Sequence, residues 1–335
     1  MAQKKIYRGI VIGCGAIGAL MEHEPDRPKP ATHAGAFSTH KKVQLVALVD
    51  TDAKKLKAAL KMYPHARGYA DAATCIKTEK PDIVAIATDP SARLGIIRAC
   101  LAHKVPMLIC EKPLAHSTKE AEEIRRLVEK SSSTFVVNYQ RRFYPLVAGV
   151  RDHIKKGKMG RLQQISCFYS NGLYSNGGHL IDSLLYLLGD RIVSARAIVN
   201  TGNTTHPKGD LNVDCLLTTA QGITITMQSF DQHVYGASEI RVFGDKETFF
   251  IREYGFTVVR VVPKASVFKK VRQLDYKDGR TTTVLQSAVA GALEHVIACH
   301  EKKKKPISSA GSAAEVVRVL DLIAKSAKQH KTLCL

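Results

Sequence analysis

The chain has 335 residues, more than one ordinary core accommodates, so two domains are expected, 1–122 and 123–335. Hydrophobic residues make up 45%, which excludes a disordered chain, and no stretch reaches the ~18–20 apolar residues of a membrane span. The formal net charge is +20, yet apart from residues 302–305 the cations are dispersed and no nucleic-acid motif accompanies them, so neither a nucleic-acid nor a membrane partner is expected.

Residues 6–12 are β-branched and apolar, the pattern of a buried parallel strand. Lys4, Lys5 and Arg8 ahead of the apolar residues 9–21 imitate a secretory leader. A strand followed by a glycine turn accounts for the same run, and a cytoplasmic location is expected. A helix is expected to start over Ala19, Leu20 and Met21. Residues 22–32 carry three prolines and mixed charge and read as a loop inserted near that helix. Strands follow at 43–49, 82–87, 105–110 and 134–137, with helices at 52–62, 91–103 and 117–130 between them. Continuously apolar strands alternating with helices predict a Rossmann-like parallel sheet covered on both faces.

The texture changes after about residue 145. Strand patterns at 161–170, 192–200, 212–219, 222–230, 238–243 and 256–262 follow one another, interrupted by one helix at 179–188. Helices at 284–303 and 313–328 close the chain. This predicts a C-terminal α+β domain with a large, mainly antiparallel open sheet. The eight cysteines show no C-x-x-C spacing, so buried free thiols in a reducing compartment are expected and a metal site is not.

Gly13-Cys14-Gly15-Ala16-Ile17-Gly18 follows the first strand. Gly13 permits a tight turn, Gly15 lets a pyrophosphate approach the backbone, and Gly18 lets helix and strand pack closely. The helix N-terminus offers N–H groups to the phosphates. Strand, glycines and helix in this order predict a dinucleotide site. Asp50, with Thr51 after it, ends the second strand as the candidate acceptor for ribose hydroxyls, which favours NAD over NADP. It lies 37 residues after Gly13 against a usual gap of ~20 from the fingerprint, an excess that the insert at 22–32 explains. Lys54 and Lys55 are near enough in sequence to meet a 2′-phosphate, so NADP stays open. Glu111-Lys112-Pro113-Leu114-Ala115 stands at the carboxyl end of the strand 105–110, the edge where open α/β sheets bind ligands. A lysine there either sets a cation against a reacting oxygen or is an ordinary turn lysine.

Further motifs follow in order. Lys80-Pro81-Asp82-Ile83-Val84 leads to Ala87-Thr88, and Asn138-Tyr139-Gln140-Arg141-Arg142-Phe143 precedes Gly160-Arg161-Leu162. Gly177-Gly178-His179-Leu180-Ile181-Asp182 runs to Leu187-Leu188-Gly189. With the glycine turn and Glu111-Lys112-Pro113, the chain resembles the glucose–fructose oxidoreductase/inositol dehydrogenase (Gfo/Idh/MocA) family over nearly its whole length. The resemblance implies an NAD(P)-dependent dehydrogenase or reductase acting on a CH–OH group. Thr88, Glu111 and Lys112 join residues 13–18, Asp50 and Thr51 at the cofactor. Lys112 and His179 are the implied catalytic pair, and Tyr139, Arg142, Asn176 and Asp182 the candidate substrate contacts. Of Arg141 and Arg142, one can pair with a carboxylate or phosphate while the other is solvated. The family's open sheet often forms a dimer interface, so a homodimer or homotetramer is expected.

Two departures stand out. Many relatives carry an aspartate four residues before the histidine, where this chain has Ser175. An alternative alignment makes Asp182 that aspartate and puts Tyr186 in the histidine's place; the ungapped length from His179 to Gly189 favours the first. Thr88-Asp89-Pro90 stands where relatives more often have Thr-Pro-Asn with a histidine soon after. The Ser175 departure favours a sugar-like substrate that is nucleotide-linked. A free polyol or cyclitol, and a catalytically silent NAD(P)-binding sensor, are the alternatives.

Overall fold

The computed structural model describes residues 5–335, so Lys4 of the leader-like pattern lies outside the described residues. Contacts divide the chain into two compact units, the first ending at residue 143 and including 286–317, the second holding 144–285 and 318–335.

In the first unit β1 (Tyr7–Ile12), β2 (Val43–Val49), β3 (Arg67–Tyr69), β4 (Ile83–Ile86), β5 (Met107–Cys110) and β6 (Thr134–Val137) pair in parallel, in the order β3-β2-β1-β4-β5-β6. The sheet thus continues past residue 122. The connecting helices are α1 (His33–Thr39), α2 (Ala53–Met62), α3 (Ala72–Glu79), α4 (Pro90–Ala102) and α5 (Thr118–Glu129). The chain moves one way from β1 through β3 and the other way from β4 through β6. Right-handed crossovers then put α1 and α2 on one face and α4 and α5 on the other. The order reverses between β1 and β4, which opens a crevice beyond their carboxyl ends. Short polar side chains start the helices by accepting backbone N–H groups: Thr32 for α1, Asp52 for α2, Asp71 for α3, Asp89 for α4 and Ser117 for α5.

The helix expected at residues 19–21 does not continue. After one turn, in which the Ala19 N–H bonds the Gly15 carbonyl at 3.0 Å, the chain leaves through a 3₁₀ turn over Leu20–His23. It returns with the His33 N–H on the Ile17 carbonyl (3.0 Å) and the Ala34 N–H on the Gly18 carbonyl (2.9 Å). An uninterrupted helix would give those carbonyls to residues 21 and 22. Residue 33 therefore stands where 21 would, twelve residues are spliced in, and α1 resumes the turn begun by the glycines. The Glu22 carboxylate closes the excursion by accepting the Ala31 N–H (3.1 Å), the Thr32 N–H (2.9 Å) and the Thr32 hydroxyl (2.6 Å). Subtracting twelve from the 32 residues between Gly18 and Asp50 leaves ~20, the usual spacing.

The second unit starts with α6 (Pro145–Lys155), β7 (Leu162–Ser170), α7 (Gly178–Leu188), β8 (Ile192–Val199), β9 (Val213–Thr219), β10 (Thr224–Phe230), β11 (Ser238–Gly244), β12 (Thr248–Arg252) and β13 (Thr257–Val261). A two-stranded ribbon of β14 (Pro263–Ala265) and β15 (Arg272–Leu274) leads to β16 (Arg280–Thr283). The chain then forms α8 (Ala288–Lys302) in the first unit, α9 (Ala310–Gln329), which the division crosses, and β17 (Leu333–Cys334) in the second. The nine-stranded sheet runs β16-β13-β12-β11-β7-β10-β9-β8-β17; β7 and β10 pair in parallel and the other neighbours antiparallel. Alternation gives it one buried face, where Ile165, Cys167, Ile225, Met227, Ile240 and Val242 are neighbours across β7, β10 and β11.

Seven free cysteines are buried and Cys334 is exposed. In α8, His295 Nε2 accepts the Ile307 N–H at 3.0 Å, which requires the neutral ring, and burial lowers its pKa below the ordinary 6.5. The folded form thus binds the proton more weakly than the unfolded chain. The stability from this bond is complete above about pH 6.5 and is lost as pH falls from there toward the lower folded value. We predict that the unfolding midpoint of wild type drops more than that of His295→Gln between about pH 7.5 and about pH 5, because the Gln amide oxygen accepts the same N–H at either pH. Parallel pH profiles would show that His295 does not carry the effect.

Candidate functional site

The glycine turn lies at the carboxyl end of β1. Gly13 has φ +96°, and a Cβ on it would come 2.7 Å from the Ala87 backbone at the end of β4. A Cβ on Gly18 would come 1.8 Å from the Gly13 carbonyl oxygen, so only glycine lets the chain fold back there. Gly15 differs, because a Cβ on it would meet no atom of the described residues within 4 Å. The space over Gly15 is open, as the approach of a pyrophosphate requires. Among the described residues no protein acceptor takes the N–H groups of Gly15, Ala16, Ile17 or Gly18. Free N–H groups at a helix start form an anion site, and the turn therefore fits the phosphates of a dinucleotide.

Asp50 faces this turn. One carboxylate oxygen accepts the Cys14 N–H at 2.7 Å and the other the Asp52 N–H at 2.8 Å. Each oxygen keeps a lone pair, and the side chain is half-buried, with Thr51 exposed beside it. Cys14 contributes its backbone rather than its thiol, which burial and the nearby Asp50 push up to about 12.

A second cluster forms at the ends of β4 and β5. The Thr88 hydroxyl is buried and has no hydrogen-bond partner among the described residues. Glu111 is buried; its Oε1 accepts from His33 Nε2 (2.9 Å) and Asn138 Nδ2 (2.7 Å), and its Oε2 from the Lys112 N–H (3.2 Å). Burial would raise the Glu111 carboxyl, but the His33 and Asn138 bonds and the Arg93 charge outweigh it and hold the group below its ordinary value. Glu111 is therefore an anion at neutral pH. Arg93 of α4 is 3% exposed, and its guanidinium donates to the carbonyls of Thr88 (Nη2 2.7 Å, Nε 3.1 Å), Glu111 and Pro113, with Lys112 O at 3.5 Å. Lys112 is half-buried in this turn.

His33 and Arg93 were not singled out in the sequence. His33 starts α1 only because the insert is spliced out, and Arg93 sits five residues beyond Thr88 without a motif of its own. Tyr139 follows β6 and is buried. Arg141 and Arg142, in the 3₁₀ turn Gln140–Phe143, are both buried, which corrects the expectation that one is solvated. Arg142 Nη1 donates to the Ile307 carbonyl at 2.6 Å, so part of its work is structural.

The other candidates form a set within the second unit. His179 and Asp182 lie three residues apart in the first turns of α7, both buried, and so share one helix face. Asn176 belongs to the π-helical turn Gly172–Gly177 that leads into α7. That turn is held from a distance: Asp210 accepts the N–H groups of Tyr174 (3.0 Å) and Ser175 (2.9 Å), and Asn212 Oδ1 accepts that of Gly172 (3.0 Å). A carboxylate thus reaches the backbone of Ser175, supplied by Asp210, 35 residues away. Among the described residues no group of three His, Cys, Asp or Glu gathers to hold a metal ion, and no helix is long and apolar enough to cross a membrane.

The glycines separate ligand from packing. Gly15→Ala is expected to leave the unfolding free energy within ~0.5 kcal/mol of wild type and to weaken dinucleotide binding at least about tenfold. Gly18→Ala is expected to destabilise by about 1–3 kcal/mol through overpacking. Calorimetry and cofactor titration check both, and a Gly15→Ala variant with undiminished affinity would remove the phosphates from this turn.

Two family models match the chain, one described as an oxidoreductase family with an NAD-binding Rossmann fold over residues 8–139, the other as the Gfo/Idh/MocA C-terminal domain over residues 169–250. A D-apiose dehydrogenase of Paraburkholderia graminis is 22% identical, covering 98% of this chain and 90% of its own. Among solved structures, an aldose–aldose oxidoreductase from Caulobacter crescentus, complexed with glycerol, superposes with a TM-score of 0.79 at 17% identity, covering 99% of this chain and 100% of that one. A myo-inositol dehydrogenase from Lactobacillus casei, in complex with NAD(H) and myo-inositol, superposes at 0.74 with 18% identity, covering 98% and 97%. The superpositions show the fold, and the matched models carry the kinship. This chain belongs to the glucose–fructose oxidoreductase/inositol dehydrogenase (Gfo/Idh/MocA) family and is an NAD-dependent oxidoreductase.

Proposed function

We propose that the protein moves hydride between NAD and a hydroxyl or keto carbon of a free sugar or cyclitol, with Lys112 and His179 as its catalytic residues. The observation that carries this reading is the setting of Lys112. It stands beside an ionised Glu111 at the carboxyl end of β5, in the same unit and on the same sheet edge as a phosphate-ready glycine turn. Bound nicotinamide supplies the hydride acceptor or donor; the protein supplies position and electrostatics. Lys112 hydrogen-bonds the reacting oxygen and stabilises its alkoxide character. His179 takes or returns the hydroxyl proton, a task suited to an imidazole. Residues 13–18, Asp50, Thr51, Thr88 and Glu111 hold the cofactor, and Tyr139, Arg142, Asn176 and Asp182 contact the substrate.

Free substrates are preferred because the relatives are named for D-apiose and myo-inositol. Ser175 in place of the family's aspartate supports a second reading, a nucleotide-linked sugar. The buried thiols suit a cytoplasmic enzyme. The open sheet face, with Phe168, Phe230 and Phe250 half-exposed, suits a homodimer or homotetramer.

A panel of free aldoses, cyclitols and nucleotide sugars, assayed by NADH absorbance, tests the reading. Turnover is expected with a free sugar or polyol. Lys112→Ala is expected to lower it about 10²–10⁴-fold while cofactor affinity changes little. Full activity in that variant would end the catalytic assignment. A response confined to nucleotide sugars would select the second reading, and no turnover with any of them would favour a cofactor-binding sensor.

A further inference from the structure

We propose that Asp210 is a positioning residue for the substrate end of α7, holding the turn Gly172–Gly177 in the π-helical form that presents Asn176 to the substrate. The inference rests on the sugar reading above and lies wholly within the second unit. A helix start leaves its first N–H groups without intrahelical acceptors, and the residue before it ordinarily caps one of them with its side chain. Here that residue is Asn171, at φ +67°, and its side chain makes no capping bond. Three consecutive residues ahead of β9 serve instead. The Gly172 N–H bonds Asn212 Oδ1 (3.0 Å), the Leu173 N–H the Leu211 carbonyl (2.7 Å), the Tyr174 N–H Asp210 Oδ1 (3.0 Å) and the Ser175 N–H Asp210 Oδ2 (2.9 Å). The first four N–H groups of the turn are thus all met by residues 210–212.

The seat fits a carboxylate. Asp210 Oδ1 also accepts the Leu211 N–H at 2.7 Å, so both oxygens are engaged by backbone donors. A Cβ on Gly172, at φ +90°, would come 2.2 Å from Asp210 Oδ2, so glycine makes room for the carboxylate. The template is itself fixed. Asn212 is 1% exposed, and its amide donates to the carbonyls of Asn203 and Thr205 at 3.0 Å each. The Tyr169 hydroxyl donates to the Val213 carbonyl (2.8 Å) and accepts the Val213 N–H (2.9 Å). A π-helical turn holds one residue more per hydrogen-bonded ring than an α-helix and is rare without support. Relaxation to α-helical bonding would shift the register by one residue, ~100° around the axis. α7 cannot follow that rotation, because Leu180, Ile181, Leu184 and Leu187 are buried along it. The movement therefore falls on the turn. Asn176 is half-buried, and its side-chain amide has no hydrogen-bond partner among the described residues, which suits a group kept for a ligand. Losing the Asp210 carboxylate swings that amide away and leaves α7 in place.

Steady-state kinetics at saturating NAD test this, with the free aldose or cyclitol that wild type turns over fastest in the panel above as the probe. Asp210→Ala is expected to raise KM about tenfold, the loss of one substrate hydrogen bond, with kcat within about threefold and NADH affinity unchanged. Asp210→Asn, nearly isosteric, sets its amide N–H₂ against one of the two backbone N–H groups and is expected to show the same pattern in weaker form. Asn176→Ala is expected to raise KM about tenfold as well, and the double variant with Asp210→Ala no further, because Asp210 acts through Asn176. A role confined to stability would lower the unfolding midpoint and leave KM unchanged in the folded variants, and that result overturns the proposal. So does a double variant whose losses multiply, or failure of both Asp210 variants to fold. Wild type that turns over no member of the panel overturns the sugar reading and the proposal with it. That failure is distinguishable from the others because it appears before any substitution is made.

Discussion

The first unit depends on one close approach, in which Gly18 folds back onto Gly13 so tightly that a single added carbon would overlap the Gly13 carbonyl. That contact lets the chain leave β1, turn, and start the helix that packs against the same strand. Among the described residues it leaves the N–H groups of residues 15–18 without protein acceptors at the sheet's carboxyl edge. The twelve spliced residues respect it. They leave only after the turn is made, and the helix resumes on the carbonyls of Ile17 and Gly18 as if uninterrupted. Glu22 and Thr32 then hold the excursion closed, so the inserted segment does not disturb the turn it follows.

Around that turn, opposite charges are gathered at the ligand edge and kept apart by their partners. Asp50 spends a lone pair on each of two backbone N–H groups and is thereby fixed in direction rather than neutralised. Glu111 is ionised through His33 and Asn138, while Arg93 is satisfied by carbonyls. Buried groups of this kind tolerate little movement, because each bond lost leaves a charge unsolvated. The result is a rigid floor at the carboxyl ends of β4 and β5, in the turn that carries Lys112.

Much of this was legible in the sequence because it is local. The strands around Ile10, Leu45, Val84, Ile109 and Val136 are continuous apolar runs, and only a sheet covered on both faces buries them. The glycine spacing and the acid at the end of β2 carry their own physical reasons. β3 and α3 were not anticipated, since Arg67-Gly68-Tyr69 offers no apolar run and α3 is eight residues long. β12 is five residues that follow β11 almost at once. α6 and the short strands β14 to β17 were not anticipated either. Other surprises are long-range: His33 on Glu111, 78 residues apart, Arg93 beneath two turns, and Asp210 capping the turn that holds Ser175. Such partners depend on where topology brings the chain, and no periodicity or spacing encodes them.

The account stands on NAD occupying the glycine turn with Asp50 at its ribose. Titration of the folded protein with NADH and with NADPH, followed by cofactor emission, tests this most directly, and the absence of Trp keeps the background low. NADH is expected to bind at least about tenfold more tightly than NADPH, because the Asp50 carboxylate repels a 2′-phosphate. A preference for NADPH, or emission that neither cofactor changes on mixing with folded protein, would contradict the account.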